Sequence, residues 1–355
     1  MKTIPTLLLA FSALSAEAKI TITQTTCNYQ KGLAVVTSGV RLGWQMQSDT
    51  DNDRQQAYQI LVTENVTGRK IYNSKKKRSG ESQFVAIPKL KANRHGYQWK
   101  VRVWDKDGNP SEWSRSQTIR VAPALTGKGA PSWIGAITRR DARLPEGRFS
   151  NAEFKKEAFK SLWSPVDTLS AKSIILRKEF PCGGKRIIDA TLYVSGMGHY
   201  EMRINGRKVG DSEFAPLWSE YSKTVYYNTY DVTEMLGSGT NALSVMLGNG
   251  FFNVQRGGRY SKLMTSFGAP QMILRLDINY SDGTHKTIVS DGTWKYALSP
   301  VTFNSIYGGE SYDARLVQPG FDRPDFDDSA WKQAVVVEGA GGRRTENSVP
   351  RRHRL

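Results

Sequence analysis

Cysteine is scarce in this chain, with two among 355 residues. A fold stapled by several disulfides is thereby excluded. Cys27 and Cys182 fall in different predicted domains, and two buried thiols are expected rather than a bridge, although an exported chain can oxidise such a pair. Histidine is scarce as well. His199, His285 and His353 are scattered, with neither metal-ligand spacing nor a triad arrangement. No Ser or Cys sits in a nucleophile motif. No apolar run is long enough to span a bilayer, so no membrane partner is expected. Carboxylates are outnumbered, 33 acidic residues against 50 Lys and Arg, which leaves a net charge of +17. Such an excess suits a polyanion partner. The basic residues are spread along the chain, however, and Lys75-Lys76-Lys77-Arg78 is the only run. It lies between two strand patterns and ends at Ser79-Gly80, which reads as a solvated hairpin loop rather than a nucleic-acid patch.

The N-terminus has Met1-Lys2, an apolar run from Ile4 to Leu14, and Ala16-Glu17-Ala18. This is the pattern of a secretory signal with a small-x-small cleavage site. Residues 1–18 are expected to be removed and the mature chain to start near Lys19, giving a secreted or periplasmic protein. No Cys marks a lipidation site.

Residues 19–125 read as one small sandwich. Leu42, Trp44 and Met46 alternate with polar or small residues, as do Tyr58, Ile60 and Val62, and Tyr97, Trp99, Val101 and Val103. Turn signals intervene at Asp49 to Asp53, Thr67-Gly68 and Asp107-Gly108-Asn109-Pro110. Short strands at this spacing predict an immunoglobulin-like sandwich. Trp99 and Trp113 are expected in its core. Residues 126–172 read as a linker and an insertion, with Trp133-Ile134-Gly135 entering the next domain and a helix expected over Asn151 to Trp163.

Residues 173–338 are strands again. Leu192 and Val194 alternate with Tyr193 and Ser195, Gly196-Met197-Gly198 interrupts, and Tyr200, Met202 and Ile204 share one face of the next strand. Asn205-Gly206 is a hairpin turn, since both positions favour positive φ. Tyr230 to Leu236 reads as a short capped helical turn. The Gly-x-Gly at 196–198 is no dinucleotide fingerprint, because a strand follows where a helix N-terminus is required. The outline is a jelly-roll-like sandwich, and the fold class is all-β.

The order of L-Y-V-S-G-M-G-H-Y-E-M-R-I-N-G, A-P-L-W-S-E-Y, Y-D-V-T and L-G-N-G-F-F resembles the N-terminal sugar-binding-type, galactose-binding-like domain of bacterial α-L-rhamnosidases, glycoside hydrolase family 78. The resemblance continues at W-I-G (133–135), S-D-G-T-W-K (290–295), I-Y-G-G-E-S-Y-D-A-R (306–315) and F-D-D-S-A-W (326–331). A-Y-Q-I-L-V, Y-Q-W-K-V-R-V-W-D-K-D-G and S-E-W-S resemble the fibronectin type III-like domain that precedes it in many members. The family continues into an (α/α)6 barrel that carries two carboxylates for inverting hydrolysis. Here Gly339 to Gly342 lead into an Arg-rich end without alternation, and residues 339–355 are expected to be a disordered tail, as a truncated or frame-shifted gene would give. The resemblance therefore implies a non-catalytic region. Glu310 and Asp313 are the best local carboxylates, but they fall on opposite faces of a strand, and Arg315 is placed to pair with Asp313.

Two roles stay open. One is an accessory module that binds a rhamnose-containing polysaccharide or glycoside. The other is a purely structural support for a barrel that is missing or supplied by another chain. A basic face would also suit an acidic polysaccharide such as pectin. Sugars need rigid aromatic faces with polar handles, and loop-rich segments supply Trp218, Glu220, Tyr221, Asn249, Phe251 and Tyr307. Phe252 and Tyr200 lie in the same segments, and Tyr200 is read as core. No cofactor is required by this reading. Some family members hold L-rhamnose through calcium, and Asp211 is the position that raises, with Ser212 next to it where a second carboxylate would serve better.

Overall fold

The computed structural model describes residues 20–37, 39–123, 129–138, 147–150, 172–254, 263–339 and 350–352. The chain divides into two units, Met1–Ala122 and Pro123–Leu355. The helix expected over Asn151 to Trp163 and the leading segment 1–18 lie outside the described residues.

In the first unit, Ile20–Cys27, Val40–Ser48 and Val85–Ile87 form a three-stranded sheet. Ala34–Val36, Gln117–Val121, Tyr97–Trp104, Ala57–Glu64 and Lys70–Asn73 form the facing sheet, in that order, and Lys77–Arg78 adds to Ala57–Glu64. Alternation decides which side chains meet between the sheets. Leu42 and Trp44 from one sheet pack with Tyr58, Ile60, Val62, Trp99, Val101 and Val103 from the other. The Trp44 indole nitrogen donates to Gln55 Oε1 at 2.8 Å and that of Trp99 to Gln117 Oε1 at 2.9 Å, so both buried rings keep a polar partner.

Two expectations for this unit are corrected. Trp113 is not core. It lies half-buried on the outer face, where Lys100 and Arg102 project from alternate positions of one strand and stand 5.0 Å and 4.9 Å from its ring. Nor is Lys75 to Arg78 a plain solvated loop. Lys77 and Arg78 pair with Tyr58 and Ala57, and the Lys76 ammonium sits 4.6 Å from the Trp104 ring. The basic run thus covers aromatic faces, where each cation–π contact is worth about 0.5–1 kcal/mol.

The second unit is a sandwich of two large sheets. One follows the order Val335–Val337, Trp133–Gly135, Gln271–Tyr280, Ile187–Met197, Val225–Asp231 and Pro350–Arg352, with His285–Val289 also on Gln271–Tyr280. The other follows Arg207–Lys208, His199–Ile204, Thr240–Gly248, Ile174–Pro181, Lys295–Leu298 and Lys332–Gln333. Leu192, Val194, Leu274 and Leu276 from the first meet Leu176, Met202, Leu243 and Val245 from the second. Asn205 and Gly206 close a hairpin at φ 51° and 82°, with Ile204 opposite Arg207. Thr233–Met235 forms the short helical turn, and Asp231 accepts the Thr233 N–H at 3.1 Å.

Parts of the expected linker and insertion are sheet instead. Trp133–Gly135 pairs on both sides, and Gly147–Ser150 pairs with Leu263–Ser266. The expected disordered tail also contains structure. Pro350–Arg352 run parallel to Val225–Tyr227, taking up the edge of the larger sheet. Residues 340–349 and 353–355 lie outside the described residues. Cys27 and Cys182 are buried in the cores of the first and second units respectively, and neither forms a disulfide.

The F-D-D-S-A-W motif has a physical role. Arg177 is buried, and its guanidinium donates to the carbonyls of Phe321 and Arg323, both at 2.9 Å, and to the carboxylates of Glu179 and Asp328. Lys295 also donates to Asp328, at 2.6 Å, and Phe326 lies 5.4 Å from the guanidinium. One buried cation thus straps residues 321–328 onto the sheet. Arg177→Ala is expected to destabilise the second unit by about 3 kcal/mol, because two carbonyls and the Glu179 carboxylate lose a buried partner and Asp328 keeps only Lys295. Denaturant unfolding checks this, and a loss within the error of a surface substitution would contradict it.

Candidate functional site

The chain crosses from the larger sheet to the smaller one at Gly198, between Ile187–Met197 and His199–Ile204. Gly198 has φ 115°, and a Cβ there would lie 2.0 Å from the Gly248 carbonyl oxygen. Gly250 has φ 51°, and its Cβ would lie 2.9 Å from the His199 nitrogen. Only glycine allows this approach. It brings His199 and Phe251 together, with ring centroids 6.4 Å apart.

Three further segments converge there. The Tyr200 N–H donates to the Ala215 carbonyl at 2.8 Å, which anchors the segment holding Phe214 and Trp218. Phe214 lies 5.6 Å from His199, and Trp218 lies 5.8 Å from Phe251. Asn304 Oδ1 accepts the Asn249 N–H at 2.6 Å, the Asn249 side chain donates to the Asn304 carbonyl at 3.1 Å, and the Asn253 amide donates to Asn249 Oδ1 at 3.0 Å. This brace fixes the turn after Thr240–Gly248 against Val301–Ser305, and Tyr307 in the following turn lies 6.1 Å from Phe251. The result is a surface of aromatic rings centred on Phe251. Phe214 is 70% exposed and Trp218 is 53% exposed, while Phe251, Tyr307 and His199 are half-buried.

Of the residues expected to bind, Trp218, Phe251 and Tyr307 are thus brought together. Glu220 is exposed in the adjoining turn, where its backbone carbonyl accepts the N–H groups of Lys223 and Thr224, both at 2.8 Å. Tyr221 is a correction. It is buried against Phe252 and Phe267, 5.2 Å and 5.6 Å away, and burial pushes its phenol well up. Asn249 is a second correction, since its buried amide is spent on bracing the turn. Tyr200 is core as expected, with its hydroxyl donating to Asn228 at 2.9 Å. Asp211 is exposed just past the hairpin, and among the described residues no group of three or more His, Cys, Asp or Glu gathers to hold a metal.

His199 and Phe214 belong to the surface and were missed. Phe214 carries a signal, an aromatic directly before Ala-Pro in a segment without alternation. His199 carries none, because its neighbours come from remote segments. Of the two carboxylates considered for catalysis, Asp313 is bound by Arg315 at 2.6 Å, as expected from the spacing. That hydrogen bond holds the Asp313 carboxyl below the usual carboxylate range, which opposes a role as proton donor at neutral pH.

Residues 22–124 match the family model described as the Rha78A-like, N-terminal immunoglobulin domain, and residues 185–352 match the model of the alpha-L-rhamnosidase N-terminal domain. The chain carries two N-terminal domains of the α-L-rhamnosidase family. An α-L-rhamnosidase of Formosa agariphila is 34% identical over 310 residues, which cover 84% of this chain and 32% of the relative. The structure of the α-L-rhamnosidase from Dictyoglumus thermophilum superposes with a TM-score of 0.70 at 28% identity, over 92% of this chain and 35% of that one. That of Streptomyces avermitilis, a complex with L-rhamnose, gives 0.73 at 23% identity, over 93% and 45%. The matched residues cover 30% to 44% of the length of the curated rhamnosidases to which the chain is similar. The aromatic surface lies in the segment shared with the rhamnosidase N-terminal domain model.

Burial lowers the His199 imidazole below the ordinary histidine value. Its neutral form is therefore favoured by folding. Stability from this group is complete above about pH 6.5 and is lost as pH falls from there towards the lowered value. His199→Asn is expected to reduce the acid-induced loss of stability of the second unit. Thermal unfolding measured across that range checks this, and equal acid sensitivity in both proteins would contradict it.

Proposed function

We propose that this chain is an accessory, glycan-binding region of an α-L-rhamnosidase-type protein, and that its second unit binds rhamnose-containing glycosides at the Trp218, Phe251 and Tyr307 surface. The observation that carries this reading is the exposure of Trp218. Aromatic side chains bury some 150–250 Å², so leaving about half of Trp218 in water forgoes roughly 3 kcal/mol of burial. A ring kept at the surface at that cost, beside two more rings, suits the apolar face of a sugar. Glu220 and the Tyr307 hydroxyl supply polar groups in the same neighbourhood. Membership of the rhamnosidase family points to rhamnose as the sugar. Few atoms of a small polar ligand touch such a surface, so affinity is expected to be weak.

Trp218→Ala is expected to leave folding nearly intact and to remove binding. Titration of wild-type and variant chains with L-rhamnose and with a neutral rhamnose-containing oligosaccharide, with and without a chelator, provides the measurement. Absence of heat or fluorescence change with the wild-type chain under every condition would defeat the reading, and unfolding of the variant would make Trp218 a core residue.

We also propose export. It is supported by the charged, apolar and small-x-small order of the first residues. Mass spectrometry of the chain produced in a secreting host is expected to find Lys19 near the mature N-terminus, and an intact Met1 in the exported fraction would refute it.

A further inference from the structure

We propose that the first unit carries a second saccharide site, selective for carboxylated sugars, on the outer face of its three-stranded sheet. The face holds a groove of about 560 Å³. Its floor follows from strand register. Thr26 stands opposite Gly43 and Gln24 opposite Gln45, so these residues share the face that Leu42 and Trp44 leave when they turn inward. Gly43 opens the middle of the floor, since a Cβ there would lie 2.9 Å from Thr26 Oγ1.

Two aromatic rings wall the groove. Tyr29 is 77% exposed and Phe84 50%, and they meet edge to face at 4.9 Å. Both residues hold left-handed backbone, at φ 63° and 56°, a conformation that bulky side chains rarely adopt. The surrounding chain imposes it at Tyr29. The Asn28 N–H donates to the Arg41 carbonyl at 2.8 Å, Asn28 Oδ1 accepts the Arg41 N–H at 2.8 Å, and the Gln30 N–H closes on the Cys27 carbonyl at 2.9 Å. Backbone strain held in place by neighbours, with the strained residues presenting rings to water, marks a surface built for contact.

Charge selects the ligand. Arg41 and Lys31 line the groove, and among the described residues no carboxylate does. A guanidinium matches a carboxylate with two parallel hydrogen bonds, and the glutamine amides and Thr26 suit hydroxyls. Rings, amides and a cation around one concavity fit a uronate unit better than a neutral sugar. The site shares no residue with the surface around Phe251, so it stands or falls independently of that assignment.

The test is calorimetric titration of the full chain with an oligogalacturonate, a neutral malto-oligosaccharide of equal length, and dextran sulfate. Arg41→Gln removes the charge. Tyr29→Asn and Phe84→Asn remove the rings while keeping residues that tolerate left-handed backbone. Trp218→Ala serves as the control for the other unit. Oligogalacturonate is expected to bind, to weaken by about tenfold or more with Arg41→Gln, and to be lost with either ring variant, with Trp218→Ala unchanged. Circular dichroism verifies that each variant is folded. The proposal is overturned by no binding of oligogalacturonate, by equal binding of the neutral oligosaccharide, by binding that survives the ring variants, or by dextran sulfate binding that tracks the same residues equally well.

Discussion

Where the chain passes between the two sheets of its second unit, two backbones touch. Residue 198 meets the carbonyl of residue 248, with residue 250 closing on residue 199, and no side chain fits at either glycine. The inner strand Ile187–Met197 ends at this point and the strand His199–Ile204 of the opposite sheet begins. Most rings of the candidate surface are referred to it. His199 follows the crossing directly, Phe251 follows the second of the facing glycines, and the Phe214 segment is tied to Tyr200 one residue further on. The aromatic surface is thus a consequence of how one sandwich joins its halves.

Buried polarity does comparable work elsewhere. Arg177 engages two carboxylates and two carbonyls, and together with Lys295 it holds the strap from Phe321 to Asp328. Asn249 and Asn304 brace a turn with neutral amides instead. The Arg177 side chain is 1% exposed, so its attraction to the carboxylates is little screened. In the first unit Lys76, Lys100 and Arg102 instead lie on the outer face over Trp104 and Trp113, trading weaker contacts for a more solvated charge. Part of the basic charge is therefore employed within the fold.

The strand framework was legible because alternation is imposed by the pleat. Tyr97, Trp99, Val101 and Val103 read as one inward face and are one. Asn205-Gly206 was legible because few residues tolerate its backbone. The site was legible in part. Trp218, Phe251 and Tyr307 stand out as aromatics outside the alternating pattern. Tyr221 satisfies the same criterion, and Asn249 is a polar group outside the pattern, yet both are buried, because a turn packed over a sheet end buries residues without any period. Trp113 was misread for the opposite reason, since cations two residues apart on a neighbouring strand can cover a ring that no core claims. His199 gained its neighbours only through the glycine crossing, and nothing local announces a contact made across such distances in sequence.

The placement of the two thiols gives the molecule an unplanned diagnostic. Each unit encloses one cysteine in its own core, Cys27 in the first and Cys182 in the second. An alkylating reagent reaches either sulfur only when the surrounding sandwich opens. Peptide mapping after brief labelling would then separate the breathing of one unit from that of the other within a single uncleaved chain, without introducing a probe. The same enclosure means that neither half relies on oxidative cross-linking to reach its folded state.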